Sequence, residues 1–398
     1  AVMLIAGAMF SILYLVGQKI KLEKKYREED KLINSDVSVD DLISAFLEMK
    51  KRVNKNMPLI TLVDMKDEFK KGNRVFSEIL IKKINEKLEK NEQVIVLLNR
   101  RGFSTIMTCK ECGFSHKCPN CDIPLIYHKG INQMKCHYCN YTVPKLYKCP
   151  ICGSLNISSF GMGTERLEEL IKETFPLAKT IRMDYDTTRN KGTHAKIVED
   201  FKSEKYNVLI GTQMVAKGLD FPKVTLACVM SGDSSLNIPD FRSAERTFEL
   251  LSQISGRAGR DKLKGEVIIQ GFNVDHYSIV LSSKHDYNSF YKEEMQITKK
   301  LKYPPFYNLC LIKLQSKDFN FLYSESEKIA NYLRNSTDNI ILGPSSGMMP
   351  KINNIYFLNI IIKYKNTKEI YEKLGFIKDK YLNVKKIKIE VDLNPYQI

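Results

Sequence analysis

The chain has 398 residues, 43% of them apolar, and 62 Lys and Arg against 46 Asp and Glu, a formal net charge of +16. That apolar content excludes a disordered chain and suits a globular protein of two or three domains. The charge favours a polyanionic partner or an anionic surface, and nucleic acid fits better once the motifs below are added.

Taken in order, residues 1–17 carry no charged side chain. They are expected as a buried strand and loop. A transmembrane or signal segment is the alternative, since the run sits at the short end of what spans a bilayer. Ala stands first where a native start has Met, so the chain reads as an internal segment of a longer protein. Residues 19–56 are charged and expected to be helical in pieces, with Asp40 or Asp41 able to cap a helix start. A strand is expected at Met57–Asp64 and an amphipathic helix at Ser77–Lys90. The apolar run Gln93–Leu98 fits a central parallel strand.

Eight of the ten cysteines then fall between Cys109 and Cys152 as four Cys-x-x-Cys pairs: Cys109/Cys112, Cys118/Cys121, Cys136/Cys139 and Cys149/Cys152. Each such turn brings two sulfurs to one side of a knuckle, and two knuckles complete the tetrahedral thiolate set that zinc accepts. Eight thiolates make two closed sites with no place for a catalytic water. A disulfide framework suits a small secreted domain, not a chain of 398 residues with its thiols in one stretch. A redox pair or an iron–sulfur cluster are the remaining alternatives. His116, His128 and His137 lie in the same stretch but are expected at the surface or behind the ligands. Spacing alone leaves three ways of pairing the knuckles. The stretch lacks long periodic segments, so it needs metal to hold a fold.

Strand and helix then alternate: helix Thr164–Glu173, strand Thr180–Asp184, helix Lys191–Lys202, strand Asn207–Gly211, strand Val224–Met230, helix Ser243–Ser255, strand Gly265–Gln270. This predicts a parallel sheet with helices on both faces, interrupted by the cysteine stretch because neither flank completes a sheet alone. A helix over about Ser278–Lys300 ends at Tyr303-Pro304-Pro305-Phe306. Strand Leu309–Gln315, helix Phe321–Leu333, strands Ile340–Leu342 and Tyr356–Tyr364, helix Thr367–Leu374 and strand Lys386–Val391 complete a compact α+β unit.

Two stretches carry candidate chemistry. Gly211 to Asp220 leaves the C-terminal end of a buried strand, where ligands sit in an open α/β sheet; Gly218 and Asp220 suit a loop that senses nucleotide or grips a strand. In Gln253 to Arg260, Arg257 and Arg260 lie three residues apart among small residues. Their guanidinium groups suit the charge that grows on a transferring phosphoryl group. A glycine-bearing tight turn and a plain surface arginine are the bland alternatives.

These two stretches resemble motifs V and VI of superfamily 2 helicases. With Leu98–Phe103, Gly163–Arg166, Asp184–Thr188, Lys191, Gly192, His194, Leu236–Arg242 and Tyr303–Phe306, the chain is similar to the PriA family of primosomal replication-restart helicases. The resemblance implies an α/β fold: a RecA-like helicase lobe 2 with an inserted two-zinc Cys-rich module, followed by a small α+β C-terminal domain. It implies residues 1–56 as a remnant of lobe 1 and linker, 57–104 and 156–295 as lobe 2, 105–155 as the zinc insertion and 296–398 as the last domain. It implies a cytoplasmic, nucleoid-associated bacterial helicase moving 3′ to 5′ with ATP and Mg2+. Forked, single-stranded or double-stranded DNA, primosome proteins and single-stranded DNA-binding protein would be its partners, with no membrane. Cys109, Cys112, Cys149 and Cys152 would share one Zn2+, and Cys118, Cys121, Cys136 and Cys139 the other. Gln253, Arg257 and Arg260 would face ATP, with Arg260 as the finger, while Gly218 and Asp220 couple nucleotide state to DNA grip.

The chain departs from the family pattern at its front. It contains no Gly-x-x-x-x-Gly-Lys-Ser/Thr phosphate loop and no Asp-Glu-x-His motif, and Met9 and Phe10 stand where the family has Thr and Pro. Phe357 stands where the family has Arg after Tyr356. Two other function classes therefore compete with a helicase fragment: a non-catalytic zinc-stabilised DNA-binding or primosome-interaction module, and a membrane-tethered protein anchored by residues 1–17.

Overall fold

The structure, a computed structural model, describes residues 58–98, 106–109, 111–159, 163–190, 192–215, 221–256, 258, 265–346 and 350–395. The expectations for residues 1–57 and 99–104, and for Gly218, Asp220, Arg257 and Arg260, lie outside the described residues. No helix among the described residues is long and apolar enough to cross a membrane.

In chain order the elements are β1 (Leu59–Asp64), α1 (Met65–Lys70), α2 (Glu78–Glu89), β2 (Gln93–Leu97), β3 (Met107–Cys109), β4 (Ile126–His128), β5 (Gln133–Lys135), β6 (Thr142–Pro144) and β7 (Ile157–Ser159). They continue as α3 (Thr164–Thr174), β8 (Thr180–Met183), α4 (Thr193–Lys202), β9 (Val208–Gly211), β10 (Val224–Val229), α5 (Ser243–Ser255), β11 (Glu266–Gly271), α6 (Tyr277–Ser283) and α7 (Tyr287–Lys300). The last are β12 (Asn308–Ser316), α8 (Phe319–Ser336), β13 (Ile340–Ser345), β14 (Lys351–Ile352), β15 (Ile355–Tyr364), α9 (Thr367–Tyr381) and β16 (Lys388–Leu393). The chain divides into two compact units.

The first unit takes residues 58–98, 163–233 and 246–290. Its sheet has six strands in the order β1-β11-β10-β2-β9-β8, all paired in parallel. Alternation along β2 explains its unbroken apolar run. Val94 and Val96 face one core with Leu80, Ile84 and Leu88 of α2 and Leu167 and Ile171 of α3. Ile95 faces the other with Ile197 and Phe201 of α4. The strand is buried on both faces, and its one polar side chain, Gln93, is satisfied by donating to the Phe201 and Tyr206 carbonyls. Ser77 starts α2 by accepting from the Leu80 N–H. The buried Gln270 amide accepts from the Ser77 N–H at 2.8 Å and donates to the Val75 carbonyl at 3.0 Å.

The second unit takes residues 106–159, 234–245 and 291–395. Its five-stranded antiparallel sheet runs β13-β15-β12-β16, with the short β14 also paired to β15. With a helix after β12 and another after β15, this is the split β-α-β arrangement. Cys310, Ile312, Leu314, Ile360 and Ile362 pack against Leu322, Ile329 and Leu333 of α8 and Ile370 and Ile377 of α9. Leu309, Leu311 and Ile361 point the other way, into a core shared with Cys118, Cys121, Met134, Cys136 and Tyr138. The cysteine stretch therefore covers the face of this sheet that the helices leave open. It holds the two-stranded sheet β3-β7 and the three-stranded sheet β4-β5-β6.

The fold class agrees with the sequence expectation: parallel α/β, an inserted cysteine-rich module and a small α+β domain. One element needs correction. The helix expected over Ser278–Lys300 is two, α6 and α7. His285 adopts φ 54°, which ends α6, and the Asp286 carboxylate accepts from the Ser289 N–H to start α7. Conversely, α9 runs through Gly375 to Tyr381, past its expected end.

Gly211, the last residue of β9, is a packing constraint on the loop that follows. A Cβ there would meet Val215 Cγ2 at 2.1 Å and the Met183 carbonyl oxygen at 2.6 Å. Gly211→Ala is expected to destabilise the first unit by about 1–3 kcal/mol, read as a lower denaturant midpoint. An unchanged midpoint would show that the β8 and β9 ends yield freely.

Candidate metal centre and strand-edge loops

The four Cys-x-x-Cys pairs fold into four copies of one turn. In each, the first cysteine's carbonyl accepts from the N–H four residues on, and its N–H donates to the carbonyl five residues on. These bonds are Gly113 N to Cys109 O and Cys109 N to Phe114 O, Asp122 N to Cys118 O and Cys118 N to Ile123 O, Asn140 N to Cys136 O and Cys136 N to Tyr141 O, and Gly153 N to Cys149 O and Cys149 N to Ser154 O, all 2.8–3.0 Å. The residue after the second cysteine is left-handed every time: Gly113 (φ 75°), Asp122 (55°), Asn140 (63°) and Gly153 (74°). Gly, Asn and Asp are the residues that adopt this conformation at least cost. Their recurrence after each pair is a signal of the turn that is legible in the sequence apart from the cysteine spacing.

The turns bring the sulfurs together in two groups, Cys109/Cys112/Cys149/Cys152 and Cys118/Cys121/Cys136/Cys139, each with all four ligand atoms within 4.8 Å of one another. The geometry therefore selects, from three possible pairings, the one the resemblance implied. Sulfur separations of 3.6 Å (Cys109–Cys152), 3.4 Å (Cys112–Cys149) and 3.5 Å (Cys118–Cys139) are far beyond a bonded disulfide, about 2.05 Å. They lie close to the edge of a tetrahedron with zinc–sulfur bonds of about 2.3 Å, roughly 3.8 Å. No histidine belongs to either group. His137 is buried, its Nε2 3.0 Å from His128 Nε2.

Four crowded thiols cannot all ionise unaided. Burial pushes Cys112 up to about 12, and the neighbouring thiols of Cys149, Cys152 and Cys109 add to it. Cys118 and the other two thiols push Cys121 up, and Cys118 pushes Cys136 up, while thiols donated by Cys118, Cys121 and Cys136 hold Cys139 down. Burial opposes ionisation of Cys149, yet the N–H groups of Cys152 and Ile151 with the Cys112 and Cys152 thiols bring it to about 7. Backbone N–H groups also point at the sulfurs of Cys112, Cys118, Cys136 and Cys139 from the turn residues. The protein thus supplies donors for negative sulfur, and a divalent ion in place of the protons lets all four sulfurs be thiolates. Two four-thiolate groups with no open position support structural zinc.

The group containing Cys121 is held from the C-terminal half of the unit. The Tyr303 hydroxyl donates to the Cys121 carbonyl at 3.3 Å, and its ring stacks on Phe241 with centroids 4.7 Å apart. The Ser345 hydroxyl donates to the His137 carbonyl at 2.6 Å. Spacing could not reveal these contacts, since they join positions some 180 to 210 residues apart.

In the first unit the structure joins two stretches that the resemblance singled out separately. The Thr164 hydroxyl donates to Asp184 Oδ2 at 2.7 Å, and the Thr187 N–H donates to Asp184 Oδ1 at 2.9 Å. Burial opposes the Asp184 charge, but these donors hold its carboxyl below the usual range. The clasp stiffens the loop after β8, where Tyr185 is exposed and Arg189 stacks on it. Gln253 lies half-buried in the last turn of α5.

Residues 118–144 match the PriA DNA helicase Cys-rich region (CRR) domain, 156–262 the helicase conserved C-terminal domain and 299–396 the primosomal protein N C-terminal domain. The chain is 44% identical over 359 residues to the replication restart protein PriA of Bacillus subtilis, covering 88% of this chain and 45% of that protein. It is 38% identical over 360 residues to the PriA of Chlamydia trachomatis (87% and 47%) and 35% over 343 residues to that of Borreliella burgdorferi (85% and 51%). The chain spans about half the length of the curated relatives it matches.

Zinc content is the direct check on the two groups. Protein purified without added zinc is expected to carry about two zincs per chain, and Cys109→Ser or Cys118→Ser about one each, read by elemental analysis. One zinc or none in the unaltered chain would defeat the paired-site assignment.

Proposed function

Since the chain belongs to the PriA family of replication restart proteins, we propose that it supplies the second motor lobe, the zinc module and the carboxy-terminal domain of an ATP-dependent 3′-to-5′ DNA helicase. That helicase acts at stalled forks and in primosome assembly. The observation that carries this reading is the location of the two four-cysteine groups. They interrupt a parallel α/β unit between β2 and α3, inside a chain whose flanks match a helicase C-terminal domain and a primosomal C-terminal domain.

Cys109, Cys112, Cys149 and Cys152 hold one zinc, and Cys118, Cys121, Cys136 and Cys139 the other. Both ions are structural, because four protein thiolates leave no coordination position for substrate. Arg257 and Arg260 follow α5 and carry positive charge to the phosphates of ATP held on another lobe, with Gln253 beside them and Arg260 as the finger. Gly218 and Asp220 follow β9 in sequence and link nucleotide state to the grip on DNA. The formal charge of +16 supports a polyanionic track. Primosome proteins and single-stranded DNA-binding protein are the expected protein partners.

The phosphate loop and the magnesium-binding carboxylates are absent from the 398 residues. Without them the arginines have no phosphates to act on, so the chain alone is expected to show no DNA-stimulated ATPase above background. Turnover by this chain that Arg260→Ala abolishes would overturn that assignment of roles. Binding to forked DNA is expected at low salt and to weaken as salt rises, with a log–log slope of roughly −0.9 for each phosphate neutralised. No binding at low salt would remove the DNA role from this chain. Fork binding that never gains ATPase when a lobe bearing the phosphate loop is joined to it would favour a non-catalytic zinc-stabilised module.

A further inference from the structure

Two lysines are buried among the described residues, and they are solvated by protein in opposite ways. Lys87 is paired with Glu92 at 3.3 Å and Glu266 at 3.0 Å. Lys363, on β15 and 3% exposed, has no carboxylate within pairing distance among the described residues. Its Nζ donates to the Leu301 carbonyl at 2.9 Å and sits 3.4 Å from the centroid of the Tyr303 ring. A buried ammonium with one neutral acceptor and one aromatic face lacks a counter-charge, and isolated buried charge is strongly unfavourable.

The missing charge lies beyond the Tyr303 ring. Lys363 shares the sheet face of Ile361, opposite Leu309, and that face packs on the module around Cys118, Cys121 and Cys136. Tyr303 bridges the two, with the cation over its ring and its hydroxyl on the Cys121 carbonyl. Four thiolates around a divalent zinc leave a net charge of minus two in the same interior. Burial, with the nearby Lys302 charge, draws the Lys363 pKa down to about 8, and the sulfurs of Cys121, Cys136 and Cys139 act against that.

We infer that Lys363 is the counter-cation of the Cys118/Cys121/Cys136/Cys139 zinc site, so that the carboxy-terminal sheet supplies charge that keeps this zinc bound. The inference rests on the assignment of zinc to the two cysteine groups. Lys363 touches no sulfur; it acts through the field across Tyr303, in an interior where water does not screen it. At the Cys109/Cys112/Cys149/Cys152 site Cys152 is exposed, so water screens charge there. The two ions should therefore answer differently to the loss of one lysine.

The test is zinc release from the full chain to a colorimetric chelator, comparing the unaltered protein with Lys363→Met and Lys363→Gln. In both variants one of the two zincs is expected to leave at least about tenfold faster while the other keeps its rate, with far-ultraviolet circular dichroism unchanged. Unchanged release of both ions from a folded variant overturns the inference. Equal acceleration of both overturns it too, since that reports general loosening. Should both variants fail to fold, Lys363→Arg decides: retention of two zincs at the original rates supports a requirement for charge, and loss of zinc assigns the requirement to packing. An unaltered chain without zinc would instead defeat the metal assignment itself, so the two failures are distinguishable.

Discussion

Four sulfurs drawn within 4.8 Å of one another, twice over, are the constraint on which residues 106–159 depend. Protein alone cannot satisfy them: as thiols they crowd, and as thiolates they repel. The strands around them have three residues each and cannot hold a fold by their own ladders. What the chain contributes is four rigid turns, each with a left-handed residue after the second cysteine and N–H groups aimed at sulfur. A tetrahedral divalent ion joins the turns in pairs.

The module is also a layer of the carboxy-terminal domain. An antiparallel sheet commonly covers one face with helices and leaves the other to water, which gives alternating strands. Here β12 and β15 contain the runs Leu309–Ile312 and Ile360–Ile362, apolar on both faces. Helices α8 and α9 bury one face, and the cysteine module buries the other. The same contact explains how a lysine can lie in the interior of β15. Metal site and sheet thus form one core although some 180 residues of chain separate their contacts.

In the parallel unit, the loops after β8 and β9 leave the C-terminal ends of their strands, the edge where ligands sit in open α/β sheets. The loop after β8 is stiffened by Asp184, which gathers Thr164 from the start of α3 and the Thr187 N–H from its own turn. Gly211 ends β9 where no side chain fits. A rigid sheet below and organised loops above are what the proposed coupling of nucleotide state to DNA grip would require.

Much was legible in the sequence because it rests on local patterns. The apolar run Val94–Leu98 marked a strand buried on both faces, and the Cys-x-x-Cys spacing marked two tetrathiolate sites. Resemblance at Gly163–Arg166 and Asp184–Thr188 marked residues that prove to touch. Local pattern failed at helix ends: His285 breaks a helix that the apolar spacing continued, and α9 runs on past its expected end at Leu374. The pairing of the knuckles, which spacing left open and only the resemblance implied, was shown by tertiary structure, as were the clasp of Thr164 on Asp184 and the union of the module with β12 and β15. Each joins residues distant in the chain, and spacing carries no information about which distant surfaces meet. Lys363 is the clearest case: in sequence it is a lysine near the end of an apolar strand, and only the fold buries it against Tyr303, whose hydroxyl reaches the Cys121 carbonyl.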